Sequence, residues 1–211
     1  MDSLCMKPEE IETESFRIID AEAGDHGWPT AEWQIVRRAI HTSADFEYAQ
    51  SMVLSEGVIE RAVAALKSGA GIVTDTNMAL SGISKPRLAQ FGCAVSCHVA
   101  DADVAELAKT EGITRSIAAM RKAVANPANR IFVIGNAPTA LFELLRLIEA
   151  GAAEPALIIG LPVGFVGAEE SKNALASGGH NIPFITNIGR KGGSNVAAAV
   201  VNALAILAGG Q

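Results

Sequence analysis

The sequence predicts a three-layer α/β/α domain with a mostly parallel sheet of about five strands. Three observations carry that expectation. Short apolar runs at 72–75, 94–97, 131–134, 156–160 and 184–187 have strand length, and most are rich in β-branched residues. Longer stretches between them show helical apolar spacing. The segment 130–172 reads strand, helix, strand, and such a crossover pairs its strands in parallel.

Taken in order, residues 1–14 are polar and acidic and are expected to form a mobile N-terminal arm. Order is expected from Phe16, Ile18 and Ile19. A loop over 24–30 precedes a helix from Ala31 to about Ile40, with Thr30 as a cap and Trp33, Val36 and Ile40 on one face. Arg38 and His41, three apart, share another face at the helix end. Ser55 is placed to cap the next helix, whose stripe is Ile59, Val63 and Leu66 and whose stop is Gly69. The run 72–75 ends in the polar tip Asp75-Thr76-Asn77. Helical runs starting at Asp103 or Thr114 carry on to Ala125. After the strand 131–134, Thr139 can cap a helix with Leu141, Leu144, Leu145 and Ile148 as its stripe, and Gly151 suits its left-handed exit. The last strand leads through Arg190-Lys191-Gly192-Gly193-Ser194 into a helix over 195–207.

At 211 residues, 49% of them apolar and 19% charged, the chain is a single globular domain with a real core. The low charged fraction hints at a buried subunit interface. A net charge of −6 argues against a nucleic-acid partner. The longest apolar stretch, 196–208, is too short to span a bilayer, and no secretory signal precedes the domain. Three cysteines make no disulfide framework, so a cytoplasmic protein is expected.

Phosphate-loop, dinucleotide, HExxH and GxSxG motifs do not occur. Cys93-x-x-x-Cys97-His98 is a poor metal site and reads as small buried side chains beside a surface histidine. What remains gathers at strand and helix ends, the edge where open α/β sheets bind ligands. Residues 190–194 precede a helix, so backbone N–H groups and two cations favour an anion there, although a plain wet loop fits as well. Asn136 and Thr139 either contact a ligand or cap, and Arg115-Ser116 is either a helix start or a carboxylate clamp. His41 can hold or release a proton near neutral pH, though a histidine at a helix end is more commonly a dipole partner. On residues alone this is a domain that binds something anionic at one edge. A phosphate-binding enzyme using Gly192-Gly193 stays open.

At His41-Thr42-Ser43-Ala44-Asp45-Phe46 and Gly135-Asn136-Ala137-Pro138-Thr139-Ala140-Leu141 the sequence resembles the precorrin-8X methylmutases. Leu161-Pro162-Val163-Gly164-Phe165-Val166-Gly167-Ala168-Glu169-Glu170-Ser171-Lys172 resembles the same family, as do Ser15-Phe16, Thr114-Arg115-Ser116 and Gly189-Arg190-Lys191-Gly192-Gly193-Ser194. The resemblance runs from about Ile11 to the C-terminal helix. It implies a flavodoxin-like fold, a homodimer with the site near the subunit interface, and a role in cobalamin biosynthesis. The implied reaction is a [1,5]-sigmatropic methyl shift from C11 to C12 of precorrin-8X or cobalt-precorrin-8, giving hydrogenobyrinic acid or cobyrinic acid. The family's catalytic histidine falls on His41, and its substrate-contacting serine and arginine fall on Ser15 and Arg38. A sigmatropic shift implies no cofactor and no metal beyond cobalt carried in the substrate. Arg38, Arg115, Arg190 and Lys191 are the expected partners of the tetrapyrrole's carboxylates. Thr42, Ser116, Asn136, Thr139, Gly192, Gly193 and Ser194 complete the expected binding set. A carrier that binds the same tetrapyrrole without turnover is the alternative.

Overall fold

The structure is a computed structural model that describes residues 7–210. Helix α1 (Pro8–Ala23) comes first and takes in residues 8–14 of the expected arm. Pro8 suits a first helical position, where the N–H is not needed, and the Glu10 carboxylate accepts the Lys7 N–H at 2.9 Å. Residues 1–6, the rest of the expected arm, lie outside the described residues. Helix α2 (Thr30–Ser43) starts after Pro29 and runs one turn beyond the expected end, so His41 and Thr42 belong to its last turn. A helical turn α3 (Tyr48–Ser51) leads into strand β1 (Met52–Leu54).

Helix α4 (Val58–Lys67) follows a left-handed Gly57, and Ser55 is not its side-chain cap. The Ser55 hydroxyl instead accepts the Phe184 N–H at 2.9 Å. Strand β2 (Gly71–Thr74), short helices α5 (Asn77–Gly82) and α6 (Lys85–Ala89) and strand β3 (Val95–Cys97) come next. Both expected helix starts in the following stretch are used, giving α7 (Ala102–Glu111) and α8 (Arg115–Val124). The second half comprises β4 (Asn129–Ile134), α9 (Pro138–Glu149), β5 (Leu157–Gly160), α10 (Ala168–Ser177), β6 (Phe184–Asn187) and α11 (Ser194–Ala208). Ala137, not Thr139, precedes α9, because Pro138 takes the first helical position.

The sheet has six strands in the order β1-β6-β5-β4-β2-β3, one more than expected. The extra strand β1 pairs antiparallel with β6, Met52 opposite Asn187, while the other five are parallel. The parallel five, counted along the chain, run 2-1-3-4-5, the flavodoxin-like order, and their switch point lies between β2 and β4. One core joins α1, α2, α4 and α11 to one sheet face. A second joins α8, α9 and α10 to the other. Helix α11 packs against α2, α4 and α5 as well as the sheet, so it is buried nearly all round. Among the described residues, no helix is long and apolar enough to cross a membrane.

Candidate functional site at the carboxyl edge and the first two helices

At the switch point the chain buries a carboxylate. Asp75 follows β2, is 3% exposed, and accepts the backbone N–H groups of Gly135, Asn136 and Ala137 at 2.9, 2.8 and 2.7 Å. Burial pushes this carboxyl up from its ordinary range, against the pull of the three amides. Its place at the end of a central strand thus fixes the turn between β4 and α9. That turn packs backbone to backbone on the start of α11: a Cβ on Gly135 would lie 2.6 Å from the Ser194 Cα. Gly192 is pressed against the Leu161 carbonyl, and the Gly193 N–H donates to that carbonyl at 2.9 Å. The Thr76 and Ser194 hydroxyls share a hydrogen bond of 2.8 Å. The motifs 135–138, 161–167 and 190–194 are therefore one packed unit.

Lys172 lies beneath this unit. It is 1% exposed, and its ammonium donates to the Lys191 carbonyl at 2.6 Å and to Asn187 Oδ1 at 3.1 Å. The Asn187 amide also donates to the Lys191 carbonyl, at 3.0 Å. Burial lowers this ammonium to about 8, while the Glu169 charge opposes the shift.

The two cations of the turn differ. The Lys191 ammonium pairs with Asp45 at 2.6 Å and Glu47 at 2.8 Å, and these carboxylates hold it well above the usual lysine range. It ties the turn to the end of α2 instead of standing ready for a ligand. Arg190 is the less committed member, 4.0 Å from Glu169 and 5.7 Å from the ring of Phe165. Phe165 and Val166 stand almost fully exposed on the neighbouring loop.

His41 sits on the outer face of the first helical layer and is exposed. Its ring centroid is 5.1 Å from that of Phe16 on α1. Arg37 and Arg38 lie over the same Phe16 ring at 4.3 and 4.6 Å. Arg38 also pairs with Glu12 at 2.5 Å. Ser15, one residue before Phe16, donates its hydroxyl to the Ile11 carbonyl. His41 opens onto two clefts. One, of about 300 Å³, is lined also by Glu12, Arg38, Thr42, Ser84, Arg87 and Asn202 among others. The other, of about 280 Å³, is lined by Ser15, Ile18 and Phe46 among others. Ala44, just past the helix, is the only non-glycine residue with positive φ among the described residues (φ 54°). The helix thus ends abruptly, and Asp45 turns toward Lys191.

The remaining expected residues form a third group on the opposite helical layer. Thr114 caps α8, accepting the Ile117 N–H at 3.2 Å, and places Arg115 and Ser116 in its first turn. The Thr139 hydroxyl is 3.3 Å from that of Thr114, and Asn136 is exposed beside them in sequence. One chain therefore does not gather the expected residues into a single pocket. It forms a His41 group with Ser15, Arg38 and Thr42, a 190–194 turn joined to it through Asp45, and an Arg115, Ser116, Thr139 group across the sheet. Cys93 is buried with its thiol donating to the Leu66 carbonyl, and His98 pairs with Asp101.

Sequence reasoning missed three contributors. Asp75 was visible only as a polar strand tip. Arg87 carries no motif. Lys172 had a usable signal, since it falls on the stripe Ala168, Ser171, Lys172, Leu175 that faces inward.

Comparison with known proteins places this geometry in a family. The precorrin-8X methylmutase family model matches residues 10–207. The chain is 48% identical to the cobalt-precorrin-8 methylmutase of Priestia megaterium, over 97% of this chain and 90% of that protein. It is 43% identical to the precorrin-8X methylmutase of Pseudomonas aeruginosa, over 92% and 93%. The crystal structure of the Thermus thermophilus precorrin-8x methyl mutase superposes with a TM-score of 0.85 at 42% identity, over 95% of this chain and 98% of that one. The chain belongs to the precorrin-8X methylmutase family.

Proposed function

We propose that this chain is an isomerase of cobalamin biosynthesis that moves a methyl group from C11 to C12 of precorrin-8X or cobalt-precorrin-8. The observation that carries the reading is His41: an exposed imidazole on an open cleft with Arg38 and Arg87, in a chain matched to the family over residues 10–207. As the C11–methyl bond breaks, the C12–methyl bond forms within the same molecule. His41 lends a proton to the macrocycle as general acid and takes one back, so the reaction is neutral in protons overall. No cofactor takes part, and cobalt enters only within the substrate.

The substrate carries several carboxylates around an apolar ring. Arg190 and the α11 N-terminus are suited to a carboxylate, and the bare Phe165 and Val166 to the ring. Ser15, Thr42, Asn136, Ser116 and Thr139 offer further polar contacts. A homodimer completes this reading, because it lets the Arg115, Ser116, Thr139 group of one copy approach the His41 face of another. Light scattering at micromolar concentration should give twice the chain mass, and a monomer mass would remove the dimer. We assign the protein to the cytoplasm, consistent with the free thiols of Cys93 and Cys97.

The test of function is the ultraviolet–visible spectrum on mixing with precorrin-8. The shift alters ring conjugation, so turnover appears directly. Binding without spectral conversion to product would make the chain a carrier.

A further inference from the structure

We infer that Lys172 is a positioning residue of the substrate-carboxylate turn: its buried ammonium anchors the Lys191 carbonyl from beneath and thereby sets Arg190 and the start of α11 toward the ligand. The inference rests on the proposed role of the 190–194 turn.

The fold's own packing calls here for a donor to Asn187 Oδ1, which a neutral group would also satisfy, and not for a charge. The Lys191 carbonyl already receives the Asn187 amide at 3.0 Å. The other members of the inward stripe of α10, Ala168, Ser171 and Leu175, are small or apolar. A methionine of similar length would fill the same space without the desolvation of a charge, but it would leave the buried Asn187 Oδ1 without its donor, so its two effects on stability oppose each other. What a methionine lacks is the bond of 2.6 Å to the turn and a positive charge directly beneath an anion site.

The surrounding groups define when that charge is present. On its own helix Glu169 favours the ammonium, and Glu170 is exposed. From β6 it meets only the neutral Asn187. On α9, Glu143 pairs both with Arg146 and with Arg121 of α8. In the turn, Lys191 is committed to Asp45 and Glu47, and Tyr48, whose hydroxyl donates to the Gly192 carbonyl at 3.5 Å, is pushed up to about 12. Between pH 7 and 9.5, Lys172 is thus the member of this set that loses its charge, at about 8.

Two signs then oppose each other. As pH rises through about 8 the folded protein releases the Lys172 proton, while an unfolded lysine keeps it to the ordinary value of 10.5. The unfolded chain therefore binds more protons across that interval, and the Lys172 contribution to stability rises with pH. Affinity moves the other way, because the turn loses its anchor charge. A lysine with only a packing role would leave affinity flat.

The experiment titrates the corrinoid product into the parent and Lys172→Met by absorbance, from about pH 7 to about pH 9.5, with melting curves alongside. Near pH 7 the variant should bind about tenfold or more weakly, and its affinity should stay flat across the range. The parent should weaken toward the variant above about pH 8. A variant with affinity within about twofold of the parent overturns the inference, as does a variant whose affinity falls with pH in the way the parent's does. Should the variant not fold, the parent decides alone: flat affinity across the range is equally fatal. A parent that converts precorrin-8 while Lys172→Met keeps parental affinity sinks this inference and spares the functional reading. A parent that neither binds nor converts sinks both.

Discussion

The carboxyl edge and the α1–α2 face solve different problems with similar residue types. At the edge, Asp75, Lys172 and Asn187 are buried and spend their hydrogen bonds on backbone atoms of two turns. Close backbone contact at Gly135 and Gly192 leaves those turns no room to shift. On the face, His41 is exposed beside Phe16, whose ring carries Arg37 and Arg38, and these arginines pair with Asp20 and Glu12. A binding cradle must hold its shape before the ligand arrives, so it is built from interlocked backbone. A proton donor must reach a ligand and lose solvent only when one binds, so it stands at a helix end. The contrast implies that chemistry and architecture can be damaged separately.

The largest separation should come from His41→Leu. The proton transfer assigned to it is worth roughly 10²–10⁴-fold in rate, while the melting point should hold because the side chain is outside both cores. Gly135→Ala should do the reverse. Its new methyl would meet the backbone of Ser194 and Gly193, a clash that costs about 3 kcal/mol and lowers the melting point of a chain this size by roughly 6–12 °C. A Gly135→Ala protein that melts with the parent would show that the turns are not locked together. Arg190→Ala should weaken substrate by roughly 10- to 150-fold, about 1.5–3 kcal/mol, with little change in melting. Affinity unchanged within about twofold would remove Arg190 from the site. The smallest effect is expected at Ala44→Gly. Relief of the left-handed conformation should raise stability by up to about 1 kcal/mol, offset in part by the freer unfolded chain. A drop in melting point would mean that the Ala44 methyl packs more usefully than its backbone suffers.

Five parallel strands were legible because each is an apolar run between turn residues. Strand β1 was not: Met52–Leu54 is too short for any periodicity, and its partner β6 lies far along the chain. The start of α1 was obscured because its first turns are acidic and exposed, so no apolar stripe announces a helix before Phe16. The motifs around 135, 161 and 190 read as a family signature, and the fold supplies a reason. Their residues press on one another's backbone, so few substitutions would fit. His41 was a candidate from the residues alone, with Arg38 on its face, but its catalytic role and the substrate contacts of Ser15 and Arg38 were reached through resemblance, since an exposed histidine at a helix end has no signature of its own. Asp75 could not be ranked from sequence, because its three donors come from a turn on another strand. Lys172 was masked by the charged Glu169 and Glu170 beside it, which make the segment look like a solvated helix start. The separation of Arg115 and Ser116 from His41 is a property of the two helical layers and is invisible in one dimension.

The most direct test of this division of labour is single-turnover absorbance with excess enzyme, run across enzyme concentrations for His41→Leu and Arg190→Ala side by side. The account predicts that His41→Leu lowers the saturating rate and leaves half-saturation within about twofold of the parent. It predicts that Arg190→Ala raises half-saturation and leaves most of the saturating rate. If both variants change the same parameter, or if His41→Leu migrates the methyl at the parental rate, the assignment of chemistry to the α1–α2 face and of binding to the carboxyl edge is wrong.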